Sequence, residues 1–166
     1  MALTYDSIAT TTLGSAASSI TFSSISSAYT DLRLVITATT AASGNDIGLR
    51  FNGDTANNYS WTAMYGDGGS AGTFRLNNFS NYRITAFSLY TDTTIPIFVS
   101  TDIFSYNGST NKTAISTASG DLNGSGVVAR SVGMWRNTAA ITSATIFTGS
   151  TFNIGTTATL YGILKA

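Results

Sequence analysis

The stretch Ser18 to Thr40, SSITFSSISSAYTDLRLVITATT, constrains this chain more than any other. Ile20 and Phe22 alternate with Thr21 and Ser23. After Tyr29, Thr30 and Asp31, the residues Leu32, Leu34 and Ile36 alternate with Arg33, Val35 and Thr37. Period-two alternation in β-branched and aromatic residues marks half-buried strands. The stretch therefore reads as strand, short turn, strand, a hairpin-like unit. No stretch of comparable strength carries a helical period.

Composition points the same way. All eight acids are Asp, and the chain has no Glu, Gln, His or Cys. Ser and Thr contribute 50 of 166 residues. Losing Glu and Gln removes good helix formers, while Thr, Val, Ile and aromatics favour strands. Charged residues are 10% of the chain, against a usual share of about 25%. Net charge is zero. Without a basic run, neither nucleic acid nor an anionic membrane is an expected partner. A surface this poor in charge suits a protein packed into an assembly or, with the same bias, a secreted or carbohydrate-binding β domain. The absence of Cys leaves no disulfide framework. No run approaches 18 apolar residues, so no membrane helix is expected.

Read in order, the chain predicts eight to ten strands in one domain, residues 1–166. Residues 1–12 are an extended arm or the first strand. Asp46 to Phe51 is a strand, ended by the type I′ turn signal Asn52-Gly53. Tyr59, Trp61, Ala63 and Tyr65 alternate along the next. Gly66 to Gly72 reads as a mobile loop, Phe74 to Tyr82 as irregular, and Arg83 to Tyr90 as a short strand. Ile97 to Tyr106 is a long strand. Lys112 to Ser119 is polar and reads as an edge strand. Val127 to Trp135, Ile141 to Phe147 and Thr157 to Leu164 complete the set. Such spacing indicates an all-β fold, a jelly-roll-like antiparallel β-sandwich. Its expected core includes Ile20, Phe22, Leu32, Leu34, Ile36, Leu49, Phe51, Val127 and Leu160.

Few chemistries are open to these residues. Ser-His-Asp and Cys-His catalysis need residue types the chain lacks. A Ser-Lys pair would fall to Lys112 or Lys165, one read as a turn residue and one at the C-terminus. Asp54, Asp67, Asp102 and Asp121 are read as turn and strand-edge residues, with nothing to pair two of them for glycoside hydrolysis. Zinc lacks its usual ligands. The oxygen-rich loops Asn52, Asp54, Asn57, Asn58 and Asp121, Asn123, Ser125 match no full calcium pattern. No catalytic, cofactor or metal site is assigned. Tyr59, Trp61 and Tyr65 form either a sugar-stacking platform or, as alternating strand aromatics more often do, part of the core.

Several segments carry a resemblance. Ile20-x-Phe22-x-x-Ile25 followed by Tyr29-Thr30-Asp31-Leu32 resembles the opening of a β module found in structural proteins of tailed bacteriophages. Arg50-Phe51-Asn52-Gly53-Asp54 with Asn58-Tyr59-Ser60 resembles its RFNGD…NYS segment. Residues Trp135 to Ser143 resemble its WxNTAAITS segment, and Thr157 to Ile163 its closing strand. The resemblance implies a non-enzymatic virion component, a capsid decoration (cement) protein or a tail-fibre module, and transfers no catalytic motif. A cement protein would sit on the outer surface of the capsid, bind the major capsid protein and form a homotrimer.

The expected contact residues are Leu3, Tyr5 and Ile8, on an N-terminal segment able to add a strand to a neighbour. In the fibre alternative, Tyr59 and Trp61 would meet a host glycan. The chain reads as complete from Met1 to Ala166, without the shaft and attachment segment of a fibre. Tyr29 is expected to bury its ring and hydrogen-bond the backbone through its hydroxyl, and Trp135 to plug one end of the sandwich.

Overall fold

The computed structural model describes residues 5–85, 91–121, 124 and 126–164. Twelve strands are present and no helix among the described residues: β1 (Tyr5–Thr12), β2 (Ala17–Phe22), β3 (Asp31–Ala38), β4 (Ile47–Phe51), β5 (Tyr59–Gly66), β6 (Ala71–Phe79), β7 (Tyr82–Arg83), β8 (Ile97–Phe104), β9 (Lys112–Asp121), β10 (Gly126–Trp135), β11 (Ala144–Phe152) and β12 (Thr157–Ile163). An eight-stranded sheet runs β1-β12-β3-β8-β9-β10-β5-β6, and a four-stranded sheet runs β2-β11-β4-β7. Every pairing is antiparallel. The all-β sandwich is therefore as the sequence predicted.

The alternation of Ser18–Thr40 does produce two strands, yet they do not pair. β2 joins the small sheet beside β11, while β3 lies in the large sheet between β12 and β8. In one sheet, Ile20 and Phe22 would share a face with Leu32 and Leu34. Splitting them lets the two apolar faces close on each other. All nine expected core residues are buried, with Leu32, Leu34, Ile36, Leu49 and Leu160 at 0% exposure.

Asn52-Gly53 makes the expected type I′ turn. Both φ angles are positive, 52° and 67°, and Asp54 N donates to Phe51 O at 2.9 Å. The turn carries the chain between sheets, from β4 to β5, rather than closing a hairpin.

Four local readings are corrected. Lys112–Ser119 is no edge: β9 lies between β8 and β10. Its polarity misled because its inward residues are small, Ala114, Ser116 and Ala118, leaving room for a side chain from the other sheet. Of Gly66–Gly72 only 67–70 lie outside strands, as a tight turn in which Asp67 Oδ1 accepts Gly69 N at 3.0 Å and Ser70 N at 2.6 Å. Residues 74–79 are strand, since Phe74 and Leu76 alternate with polar neighbours along β6. Of Arg83 to Tyr90, only Arg83 lies in a strand, the last residue of β7, and 86–90 lie outside the described residues.

The room over β9 and β10 is filled by Tyr82 of β7. Its hydroxyl lies 2.9 Å from Ser116 Oγ, 2.9 Å from Ser131 Oγ and 3.0 Å from Ser131 O. Its ring occupies the space where Gly133 lacks a Cβ. Burial pushes this hydroxyl up to about 12. The far end of the sandwich is closed by Trp135, Phe51 and Tyr59, with ring centroids 5.6–6.4 Å apart. Trp135 Nε1 donates to Asp54 Oδ2 at 2.7 Å. Burying an indole keeps its apolar area, but its N–H needs such an acceptor.

Candidate partner-binding face

Tyr59 and Trp61, the two rings of the glycan alternative, lie in the core at 0% and 2% exposure. Tyr59 accepts Phe51 N at 3.0 Å and packs on Trp135, and Trp61 packs on Phe74. Strand parity explains both, because Tyr59, Trp61 and Ala63 point to the same side of β5 and that side faces the small sheet. They offer no stacking platform to a sugar.

Leu3 lies outside the described residues. Residues 5–12 are a strand rather than a free arm, since β1 pairs with β12 from Tyr5↔Ile163 to Thr12↔Thr157. Ile8 sits at the register shift of that pairing and packs against the core. Tyr5 is on the surface at 45% exposure, with the Arg33 guanidinium 5.3 Å from its ring centre. The hydroxyl of Tyr29 donates to Asp6 Oδ2 at 2.7 Å, so its partner is a carboxylate and not the backbone.

The aspartates considered for catalysis each serve their own element. Asp54 receives Trp135, Asn58 and Ala56. Desolvation works to raise its pKa, and these hydrogen bonds outweigh it and hold it below the usual carboxylate value. Asp102 takes Arg33 in a two-pronged pair at 2.5 and 2.8 Å. Asp67 caps its turn, and Asp121 accepts Gly124 N at 2.6 Å. Lys112 is 1% exposed, and its ammonium donates to the carbonyls of Gly108, Thr110 and Thr138. Desolvation lowers its pKa. It acts as a peg between two loops, and among the described residues its ammonium hydrogen-bonds carbonyls and no serine hydroxyl.

Lys165, Asn123 and Ser125 lie outside the described residues. In the other oxygen-rich loop, Asn52 Oδ1 accepts Thr142 N and Ser143 N. Among the described residues no three acidic side chains converge to hold a metal, and no helix is long and apolar enough to cross a membrane.

The surface that sequence reasoning missed is the outer face of the large sheet. Trp135 fixes the parity of β10. Val127, Ala129, Ser131, Gly133 and Trp135 face the core, so Val128, Val132 and Met134 face out at 57, 47 and 39% exposure. Register extends this across the sheet. Met134 neighbours Thr113, which neighbours Phe104. Val132 neighbours Ile115, and then Asp102 with its Arg33. Val128 neighbours Ser119, and then Phe98. On the other side Met64, at 60% exposure, neighbours Arg130.

The middle of β10 holds small residues inward, Ala129, Ser131 and Gly133, and larger aliphatic ones outward, Val128, Val132 and Met134, the reverse of a water-facing strand. From β8 to β6 this face covers roughly 600 Å² at about 4.8 Å per strand and 3.3 Å per residue. One partner in a standard interface contributes about 800 Å². The face is apolar and Thr-rich, with its charge confined to the Arg33–Asp102 pair, Arg75 and Arg130, and apolar patches of this size are the kind that protein partners cover.

Set against known protein families, curated proteins and solved structures, the chain matches none of them.

Proposed function

We propose that this chain is a non-enzymatic structural protein of a tailed-bacteriophage virion, a decoration (cement) protein on the outer surface of the capsid. In this reading it binds the major capsid protein and stabilises the shell as a homotrimer. The observation that carries the reading is the outer face of the large sheet, where Met64, Phe98, Phe104, Val128, Val132 and Met134 are exposed together. Leaving such side chains in water forfeits about 25 cal/mol per Å² that a protein partner would recover. The segment resemblance, from Ile20 to Ile163, supplies the kind of assembly.

The commitment of the aspartates to turns and ion pairs supports the non-enzymatic part. We also read the sandwich as jelly-roll-like, because β2, β3, β4 and β5 change sheet at every step, the crossing habit of that fold. The glycan-binding fibre module is the weaker reading, since its two aromatic contacts are buried.

The test is to add purified chain to capsid shells that lack it. Co-sedimentation with the shells, and shells that then survive higher temperature, are the expected results. A chain that ignores the shells but adsorbs to host cells contradicts the proposal.

A further inference from the structure

Most charge on this molecule is committed internally. Among the described residues, each of the eight aspartates accepts a hydrogen bond or ion pair from within the chain. Arg33 and Arg83 pair with carboxylates, Arg50 and Arg136 bond backbone carbonyls, and Lys112 is caged by three more. Arg75 and Arg130 are the exceptions: both are exposed and neither has a partner among the described residues. They share the outer face of the large sheet. Arg75 neighbours Thr62 and Arg130 neighbours Met64, so only β5 separates them.

Arg75 also sits on an edge that no described strand pairs with. β6 ends the large sheet, with β5 on one side. The Asp67 N–Ser70 O hydrogen bond, 3.1 Å, closes the β5–β6 hairpin. Antiparallel pairs alternate from there. Tyr65–Gly72, Ala63–Phe74 and Trp61–Leu76 become the hydrogen-bonded pairs. The N–H and C=O groups of Ala71, Thr73 and Arg75 therefore point off the edge.

Natural sheets guard such edges by shortness, bulges, proline or lysine. β7 is two residues long, and β1 carries a register shift and Asp6. β6 runs nine residues without proline or lysine, and its register shifts only near the end opposite the turn. On its core side Phe74 and Leu76 stay only partly buried. A depression of about 620 Å³ adjoins the edge, lined by Met64, Thr73, Val128 and Arg130 among others.

We infer that β6 accepts an added strand from an extended acidic segment of a partner protein. Arg75 pairs with its carboxylates, Arg130, three strand spacings in, adds to the field that draws them, and the segment's alternate apolar side chains face Leu76 on the core side. Charge selects the occupant. Two copies of β6 would bring arginines together with no uncommitted aspartate to meet them, whereas an acidic strand gives Arg75 a carboxylate. The inference rests on the decoration-protein reading only in assigning that segment to the capsid subunit.

The experiment is an NMR titration of the ¹⁵N-labelled chain with a capped peptide alternating Val and Asp. The expected result is a shift of the Ala71, Thr73 and Arg75 amides, with binding at least about tenfold weaker for the double variant Arg75→Glu, Arg130→Glu. Thr73→Pro, which removes one outward N–H, abolishes the shifts. The same peptide N-methylated at alternate residues loses binding to the unaltered chain, so the test survives a proline variant that fails to fold.

An absence of shifts at β6, equal binding of a Val–Lys peptide, or binding of a DNA oligonucleotide in place of the peptide overturns the inference. Shell binding without Val–Asp binding overturns it and leaves the decoration reading standing. Val–Asp binding at β6 without shell binding supports it and overturns the decoration reading alone.

Discussion

The two sides of β10 belong to the same ten residues, yet they behave as different molecules. The inner side, Val127 to Trp135, has small residues in its middle because Tyr82 of the opposite sheet reaches in and is gripped by Ser116 and Ser131. The outer side carries Val128, Val132 and Met134 with nothing over them. Residue size on a strand thus reports what lies across from it. Small polar residues inside mean that a neighbour has filled the space. Large apolar residues outside leave a surface that, on the proposed function, a partner covers. The inner side should govern folding and the outer side association.

The sharpest way to break this comparison is to charge the inner face. Leu34→Asp places an unpaired carboxylate at a site with 0% exposure, and the chain is expected not to fold, as read by circular dichroism. Next in size is Trp135→Ala, which opens a cavity between Phe51 and Tyr59 and strips a donor from Asp54. About 3–5 kcal/mol should be lost in urea unfolding. Tyr82→Phe keeps the ring and removes the hydroxyl, which leaves Ser131 and Ser116 short of a partner. Its expected cost is about 1–3 kcal/mol by the same measurement.

A pH effect comes after these. Asp46 pairs with Arg83, but desolvation outweighs that attraction and pushes the carboxyl from 3.8 up to about 6. A raised folded-state value means the native chain holds its proton longer than the unfolded one. Stability from this group is therefore complete below pH 3.8 and lost as pH rises through about 6. The change should be at most about 3 kcal/mol, and thermal melts of Asp46→Asn should lack it. The smallest effect belongs to the outer side. Val132→Thr should change folding stability by no more than about 0.5 kcal/mol while weakening the attachment of the chain to capsid shells in co-sedimentation.

How much of this was legible in the sequence follows from the same contrast. Alternation alone located β3 and its inward residues, because Leu32, Leu34 and Ile36 differ so plainly from their neighbours. It could not say that β2 and β3 part company, since a turn of seven or eight residues permits either a hairpin or a crossing. The glycine and asparagine of Asn52-Gly53 announced the turn, but turn type says nothing about which sheet receives the next strand.

β9 was mistaken for an edge because Ala114, Ser116 and Ala118 look exposed until Tyr82 is placed over them. The outer face was within reach. Counting back by twos from Trp135 puts Val132 and Val128 on the opposite parity, and a buried tryptophan then leaves them outside. What hid it is that Val127, Val128 and Val132 are alike in type, so the strand's own alternation marks neither face as the apolar one. The commitments of the aspartates lay further off, because partners such as Asp6 with Tyr29 or Asp102 with Arg33 are far apart in the chain.

The central claim is that the outer face of the large sheet is the covered one in the assembled particle. The chain has no cysteine, so a single introduced thiol reports on its own position. Val132→Cys lies at the middle of that face. Ser19→Cys lies on β2, on the outer side of the small sheet, and is equally reachable in the free chain. Both variants are bound to capsid shells and treated with a maleimide reagent. The account expects Cys at 132 to be protected on the shell and Cys at 19 to react as it does in solution. A freely reactive 132 beside a protected 19 would contradict it.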